Sequence, residues 1–444
     1  MKIITQQKQV PWMHVTIVLF PWFSTVMREA ISNAGITFTL SKFTDSPALI
    51  GLIGSTNQAF GFLVGAVCCY ASDHIWTPWG RRRPFILVSC FVSAGLCFFV
   101  PVATELWLAF SLIIAYQFFV DFATPYESLT MEVIPPPQRG RAGAITSIYK
   151  SAAFGIVFAG LIGGFDKVYE LAEGIEITGE AIMYWANVLV ILITGGVILF
   201  FTKETKPEGI KPCKLTKVPY MSIFRDLFDR KMLPLLGLAF VMQNLWIGLA
   251  QFESLLVTEQ WGYTKSQYGN IMAISMVISV AVAPLGGIVS DRFDRLKILK
   301  FGLSAVVGLK FAYYVYAEYL TENGIPPFFM VMGLGLFKGA VSSFITIASF
   351  PLIFDYVSRN KFGTLSCGLG IVFSFIAFVG TNAMGSWIEF ISPRFYGLEE
   401  GTFNYMAGYH WIFLLGVLGI LYLLKFEKLV KSGKLEKTHD KYIE

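Results

Sequence analysis

The feature that most constrains this chain is a series of twelve apolar runs that divides into two groups of six. A helix rises about 1.5 Å per residue, so a run of about 20 residues crosses the roughly 30 Å hydrocarbon core of a membrane. The runs lack the period-two alternation of β-barrel strands. We therefore predict an all-α integral membrane protein with twelve transmembrane helices, called spans 1 to 12. They cover 14–36, 47–72, 84–103, 106–128, 142–163, 181–202, 233–257, 268–289, 297–318, 326–354, 364–390 and 406–426.

Composition agrees with a membrane protein. Hydrophobic residues make up 55% of the chain and charged residues 15%, whereas soluble domains carry about 25% charged residues. The N-terminus lacks a short apolar core followed by a small-residue cleavage site, so we expect span 1 itself to direct insertion. The six cysteines lie in spans or in the middle loop. None has the spacing to histidine of a metal site, and we predict neither a metal centre nor a disulfide framework.

The distribution of lysine and arginine predicts the orientation. With both termini inside, the cytoplasmic segments contain 27 of the 35 basic residues, and the outer loops contain four. Positive residues concentrate on the cytoplasmic side of membrane proteins. We therefore predict a multi-pass protein of the cell inner membrane with both termini cytoplasmic. The net charge of +5 is then an orientation signal, and we expect no nucleic-acid partner.

A basic loop signature of the first half recurs in the second. Asp73 is followed by a glycine and three arginines, and Asp291 lies 218 residues later in a similar basic loop. Two six-span halves of matching design are typical of transporters that rock around a central site. The predicted domains are 1–202, a cytoplasmic linker 203–231 with an amphipathic helix near 220–228, and 232–444. The predicted gating residues are Asp73, Gly80, Arg81, Arg82, Arg83, Arg139, Arg141, Asp291, Arg292 and Arg295.

The long loop at 164–180 is predicted to be outside and is acidic. Its carboxylates could form a vestibule that attracts cations. The alternative, which we favour, is ordinary charge on the outer surface.

Two segments of the first half resemble a known family. The segment 72–86 (SDHIWTPWGRRRPFI) resembles the loop between spans 2 and 3 of the major facilitator superfamily, in its sucrose-transporter-like form. The segment 124–142 (TPYESLTMEVIPPPQRGRA) resembles the glycoside–pentoside–hexuronide:cation symporters. The second-half loop departs from this pattern, because Asp294 stands where glycine is common. The resemblance implies two pseudo-symmetric six-helix bundles and symport of a sugar or glycoside with H⁺ or Na⁺. It implies no cofactor beyond the coupling ion, and we expect a monomer in the lipid bilayer.

Charged side chains within the spans mark candidate sites, because a charge at mid-bilayer is costly. Asp121 shares a helical stripe of span 4 with Gln117, Thr124 and Ser128, and we predict that it couples the cation. Arg28 and Glu29 are adjacent in span 1, where they could clamp a substrate or neutralise charges of other helices. Glu29 is a second predicted coupling residue.

A second group of polar residues predicts the substrate site. Glu253 shares a face of span 7 with Gln243 and Trp246, a combination that suits sugar hydroxyls and a pyranose ring. Lys338 in span 10 needs a carboxylate, and Asp121 or Glu29 would supply it. Lys150 and Lys310 could instead extend towards an interface. The predicted substrate-binding residues are Arg28, Asn57, Gln58, Gln243, Trp246, Glu253 and Lys338.

Other functions fit the sequence less well. A drug, nucleoside or organic anion could be the solute, although an anion site would want several arginines and the spans offer only Arg28. An integral-membrane transferase would need a carboxylate or metal motif on a loop, and the segment 291–294 is the nearest approach. A nucleotide-binding loop is absent from the sequence, which excludes ATP-driven transport. A transporter-derived receptor would typically carry a soluble extension.

Overall fold

The computed structural model describes residues 10–134, 138–172, 175–204, 233–247, 252–321, 324–354, 356, 362–399 and 401–435. Within these ranges, ten helices are long and apolar enough to cross a membrane. They correspond to spans 2 to 6 and 8 to 12. The described parts of spans 1 and 7 are helical as well. The all-α prediction is confirmed, whereas the amphipathic helix predicted near 220–228 lies outside the described residues.

Proline and polar caps mark where several helices begin. The helix Pro47–Phe60 starts with a proline, and the Ser46 hydroxyl accepts the N–H of Leu49 at 3.3 Å. A side chain of this kind satisfies one of the first-turn N–H groups that lack a partner within the helix. The helices of spans 1 to 6 are Trp12–Leu19, Pro21–Ala30, Ile36–Leu40, Pro47–Phe60, Ala66–His74, Arg83–Phe99, Leu106–Val120, Tyr126–Val133, Arg139–Gly155 and Gly179–Phe201.

Span 8 begins with a capping box, in which Thr264 and Gln267 each accept the other's backbone N–H. Span 9 begins at Asp294, whose carboxylate accepts the N–H of Leu296 at 3.1 Å. Asp294 thus has a structural reason to replace the glycine common at this position. The helices of spans 7 to 12 are Leu233–Ile247, Phe252–Leu255, Lys265–Arg292, Arg295–Val315, Phe328–Phe354, Phe362–Phe395 and Ala407–Lys431.

Several spans depart locally from α-helical geometry. Wider π-helical turns occur in spans 1, 2, 5, 7 and 9, at Ile31–Gly35, Gly61–Gly65, Ile156–Leu161, Leu256–Gln260 and Tyr316–Leu320. Span 4 contains a 3₁₀ turn at Asp121–Ala123, followed by Pro125. Such irregular turns are frequent at functional sites within helices.

The loop predicted at 164–180 contains a β-hairpin. Strand β1 (Val168–Ala172) pairs antiparallel with strand β2 (Ile175–Thr178), and Glu170 lies opposite Glu176. At the base of the hairpin, a Cβ on Gly179 would lie 1.8 Å from the Gly164 carbonyl oxygen. Only glycine therefore fits at 179.

The chain divides into two compact units. Unit 1 comprises Met1–Thr39 and Leu63–Val218, and unit 2 comprises Leu40–Phe62 and Pro219–Glu444. The segment Leu40–Phe62 thus groups with the second half, although the sequence assigns it to the first bundle. This difference follows from the packing of Pro47–Phe60 against Phe362–Phe395 within unit 2.

Small residues and hydrogen bonds hold these two helices together. A Cβ on Gly385 would lie 2.5 Å from the Pro47 carbonyl oxygen, so the backbones are in direct contact. The Glu389 carboxylate accepts the Ser46 hydroxyl at 3.1 Å and the Ala48 N–H at 3.3 Å. It therefore acts as a second cap for the start of span 2.

Candidate functional site

Unit 1 contains a buried arginine in the middle of span 1. Arg28 belongs to the helix Pro21–Ala30 and is 6% exposed. Its Nε donates to the Ser24 carbonyl oxygen at 3.4 Å. Its Nη1 is buried without a hydrogen-bond partner among the described residues. Because an unpaired buried donor is costly, this guanidinium marks a polar site.

Asp121 lies within electrostatic range of Arg28. It is the first residue of the 3₁₀ turn in span 4, and its Oδ2 is buried without a hydrogen bond to any described residue. The Arg28 charge acts on this carboxylate. The structure therefore brings together two predicted site residues, one as an unpaired donor and the other as an unpaired acceptor.

The polar stripe predicted along span 4 is only partly correct. Gln117 is fully buried, but Thr124 and Ser128 are exposed. The 3₁₀ turn and Pro125 interrupt the α-helical spacing on which the prediction depends. Thr124 instead donates its hydroxyl back to the Asp121 carbonyl oxygen at 2.5 Å.

Sequence reasoning missed other buried polar groups of unit 1. Asn187 in span 6 is fully buried and donates to the Tyr116 hydroxyl at 3.1 Å, while its Oδ1 has no hydrogen-bond partner among the described residues. The hydroxyls of Ser24 and Ser93 are also buried without described partners. Helical periodicity could have placed each residue on a face, but nothing in the sequence says which faces meet.

Glu29 has a different environment from its neighbour Arg28. Its side chain is exposed on unit 1. The charged group that acts on Glu29 is Lys150 of span 5. The Lys150 Nζ lies 4.2 Å from the centre of the Trp22 ring. Lys150 thus makes a cation–π contact within the spans.

Unit 2 contains an ion pair within the spans. Lys338 Nζ lies 2.6 Å from Glu253 Oε2. The predicted pairing of Lys338 with Asp121 or Glu29 is therefore wrong, because helical spacing alone does not determine which spans are neighbours. The structure does bring together the predicted residues Glu253 and Lys338.

A small cavity adjoins this ion pair. It has a volume of about 10 Å³ and is lined by Glu253, Lys310, Lys338 and Tyr409, together with apolar side chains. This is room for roughly one water molecule. Lys310 is 7% exposed and is thus a further charged residue within the spans. The sequence analysis interpreted it as a lysine that extends to the membrane interface.

Two other predicted groups contribute less. Asn57 and Gln58 are half-buried in the helix Pro47–Phe60. Gln243 and Trp246 belong to the helix Leu233–Ile247, but their side chains lie outside the described part of the structure.

The arginine-rich loop between spans 2 and 3 binds two carboxylates that the sequence did not single out. Arg81 and Arg82 both form ion pairs with Glu132 at the end of span 4, the latter at 2.6 Å. Glu204, after span 6, accepts three consecutive backbone N–H groups. These belong to Arg81 at 2.9 Å, Arg82 at 3.0 Å and Arg83 at 2.9 Å.

The other residues of this loop have structural contacts. The Arg83 guanidinium donates to the carbonyl oxygens of Ile198 at 3.2 Å and Leu199 at 2.6 Å, near the end of span 6. Gly80 has φ = 109°, and a Cβ there would lie 2.7 Å from Glu204 Oε1. Glycine is therefore required both by the backbone conformation and by the space that Glu204 occupies.

The remaining predicted gating residues are less completely described. The side chains of Asp73, Arg139, Arg141, Asp291 and Arg292 lie outside the described part of the structure. Arg295 is the first residue of the helix Arg295–Val315 and is half-buried.

Comparisons with solved structures show the fold. The nucleoside transporter NupG, as a variant, is 12% identical with a TM-score of 0.70, covering 93% of this chain and 99% of that chain. A D-xylose–proton symporter is 15% identical with a TM-score of 0.65, covering 93% and 96%. A bacterial homologue of the human lysosomal transporter Spinster, inward-facing and occupied, is 17% identical with a TM-score of 0.69, covering 95% and 97%. The expected twelve-helix major facilitator fold is confirmed.

Sequence comparisons show the family. No curated protein sequence matches the chain. The profile of one family, described as MFS/sugar transport protein, matches residues 23–423. The predicted resemblance to the major facilitator superfamily is confirmed, and a transporter rather than an enzyme is indicated. The chain belongs to the MFS/sugar transport protein family of multi-pass membrane transporters.

Proposed function

We propose that this transporter carries a sugar or glycoside together with a cation, by alternating access. The observation that carries the proposal is the pair Arg28 and Asp121 in unit 1. Each presents a buried polar atom without a hydrogen bond to the described residues, and the two charges act on each other. A site that already satisfied its own polar groups would have no such atoms available for a ligand.

The chemistry of this pair suits hydroxyl groups. A hydroxyl both donates and accepts, so one sugar hydroxyl can donate to Asp121 and another can accept from Arg28. Asn187, whose Oδ1 has no hydrogen-bond partner among the described residues, offers a further acceptor in the same unit. One guanidinium and one carboxylate leave no excess positive charge in this cluster, which favours a neutral polyol over an organic anion.

Asp121 is the proposed cation-coupling residue. Binding of H⁺ or Na⁺ would neutralise a carboxylate that has no hydrogen bond at Oδ2 among the described residues. Its place at a 3₁₀ turn suits this task, because interrupted helices expose backbone groups that can bind ions and substrates. Glu29, exposed on unit 1 and under the influence of Lys150, is the second proposed coupling group.

The arginine loop is the proposed gate at the cytoplasmic face of unit 1. Ion pairs can exchange partners as helices move, whereas apolar contacts lack this directionality. Arg81 and Arg82 share Glu132, so motion of span 4 relative to the loop would break two contacts together. We further propose an inner-membrane location, cytoplasmic termini and a monomeric transporter.

The test is uptake by purified protein reconstituted in liposomes. A panel of pentoses, hexoses, disaccharides, glycosides and nucleosides would be offered with and without a Na⁺ gradient and with and without a pH gradient. We expect concentrative uptake of at least one sugar or glycoside, driven by one of the two gradients. Uptake of nucleosides alone, or sugar uptake indifferent to both gradients, would refute the proposal.

Matched variants locate the coupling site. Asp121→Asn should abolish accumulation against a gradient while exchange of solute down its gradient continues. Glu105→Gln, an exposed carboxylate just before the same span, should leave both activities unchanged. Wild-type accumulation by Asp121→Asn, with unchanged ion dependence, would make Asp121 structural.

A further inference from the structure

Lys310 is a buried charged residue within span 9. It lies in the helix Arg295–Val315, is 7% exposed, and forms no hydrogen bond or ion pair with the residues that the structure describes. Its side chain lines the small cavity beside the Lys338–Glu253 ion pair. A lysine that extended to the membrane interface would be exposed at its ammonium end, so this position needs another explanation.

The charges around Lys310 do not balance. Glu253 attracts it and Lys338 repels it, and these are the two charged groups that act on it within the described residues. Lys338 already occupies Glu253 Oε2 at 2.6 Å. Two ammonium groups would therefore share one carboxylate, leaving one uncompensated positive charge in the interior of unit 2.

An uncompensated buried ammonium is expensive. Removing one partner from a buried ion pair is strongly destabilising, because the remaining charge stays buried without compensation. A buried amine avoids this cost by giving up its proton. When it takes the proton back, it needs the nearby carboxylate, and Glu253 must then be shared or released by Lys338. The site thus has two arrangements that differ by one proton.

We propose that Lys310 is a proton-binding residue of unit 2, and that Glu253 is the counter-ion for which protonated Lys310 competes with Lys338. The proposal rests on the proposed cation-coupled transport and identifies the proton as the coupling ion. An amine nitrogen binds H⁺ directly. Na⁺, in contrast, would have to approach a carboxylate already neutralised by the Lys338 ammonium.

Each element around the site supplies a group relevant to this exchange. Glu253 comes from span 7, Lys338 from span 10, and Tyr409 from span 12. The Glu253 charge also acts on Tyr268 of span 8. The water-sized cavity at the centre gives room for a proton to pass through one water molecule, or for the Lys310 amine to move towards Glu253.

The first experiment measures stability, so that it does not depend on finding the substrate. The melting temperature of the purified full chain would be followed from neutral to alkaline pH for wild type, Lys310→Met and Lys310→Gln. We expect the wild type to become more stable as pH rises, because a neutral amine is easier to bury than an ammonium. Both variants should lose this rise. Lys425→Gln, an exposed lysine of span 12, is the control and should keep it.

The second experiment measures transport. Accumulation driven by a pH gradient should fall about tenfold or more in Lys310→Met, which corresponds to about 1.4 kcal/mol of coupling. Exchange without a gradient should persist within about twofold of wild type. Lys310→Gln, whose neutral amide keeps a polar donor at this position, is the alternative variant if Lys310→Met does not fold.

The outcomes separate this inference from the proposed function. If the melting temperature of both Lys310 variants depended on pH as that of the wild type does, the inference would be overturned, even if sugar transport were found. The melting temperature would also be compared in chloride and in gluconate. If the two salts gave different values for the wild type but not for the Lys310 variants, the inference would be overturned, because Lys310 would then be a fixed charge paired with an anion. If the Lys310 variants lost the pH dependence of the melting temperature but the wild type transported no sugar, the proton site would be supported and the proposed function refuted.

Discussion

Replacing Glu204 with alanine should lower the apparent free energy of unfolding by about 2 kcal/mol. Both oxygens of this carboxylate accept backbone N–H groups from 81–83, where span 3 begins. These groups have no partner inside the helix. A hydrogen bond to a charged group contributes about 1.5–3 kcal/mol. Glu204 is only half-buried, so in the alanine variant water would replace some of the lost hydrogen bonds. The expected loss of stability is therefore about 2 kcal/mol, the upper value for removal of a helix cap.

Glu204→Gln should give an intermediate result. Its amide keeps one acceptor oxygen but turns an NH₂ group towards a backbone N–H, and we expect a loss of about 1 kcal/mol. The assay is unfolding by SDS in mixed micelles, followed by tryptophan fluorescence. Glu399→Ala is the control, because Glu399 is exposed and its replacement should change stability by no more than about 0.5 kcal/mol. If Glu204→Ala and Glu399→Ala unfolded at the same SDS fraction, the three N–H contacts would contribute nothing to stability.

Three further predictions use other parts of the molecule. Gly385→Ala should destabilise by about 1–3 kcal/mol in the same SDS titration, because a Cβ there meets backbone, whereas Gly370→Ala points into open space in the same helix and should be neutral or stabilising. Burial and a nearby carboxylate raise the pKa of Glu259 above its ordinary value of 4.5. The folded state therefore holds this proton more tightly than the unfolded state does. Glu259→Gln should raise the melting temperature at neutral pH but not below pH 4.5. An equal rise at neutral pH and below pH 4.5 would show that the Glu259 charge is not the cause. In a background without native cysteines, Glu170→Cys should react with an impermeant maleimide from outside intact cells and Lys211→Cys should not, whereas the reverse pattern would invert the orientation.

The spans could be predicted from sequence because membrane crossing depends on local properties. Length and apolarity of a run decide whether it spans, and the predicted boundaries agree with the described helices to within a few residues for most spans. The hairpin at 168–178 was not predicted, because its strands are short and lie in a loop that reads as polar. The 3₁₀ turn at Asp121 was also missed, and this error moved Thr124 and Ser128 off the predicted stripe.

Pairing between spans could not be predicted because it depends on contacts far apart in the sequence. Lys338 and Glu253 are 85 residues apart, and no spacing rule connects them. Glu204 is 123 residues from Arg81, and its position just after span 6 looks like ordinary loop charge. Charged residues within the spans could therefore be located from the sequence, whereas their partners could be found only in the three-dimensional structure.

The two-stranded hairpin has a consequence for self-association. Each strand of a two-stranded sheet is an edge, so each presents a row of backbone groups on which a strand from another molecule could be added. Glu170 and Glu176 lie opposite each other and are exposed, although like charges in this position cost up to about 1 kcal/mol. A further strand would have to approach both carboxylates. We therefore expect the acidic character of this loop to disfavour edge-to-edge pairing between copies, and this effect would require no bound cation.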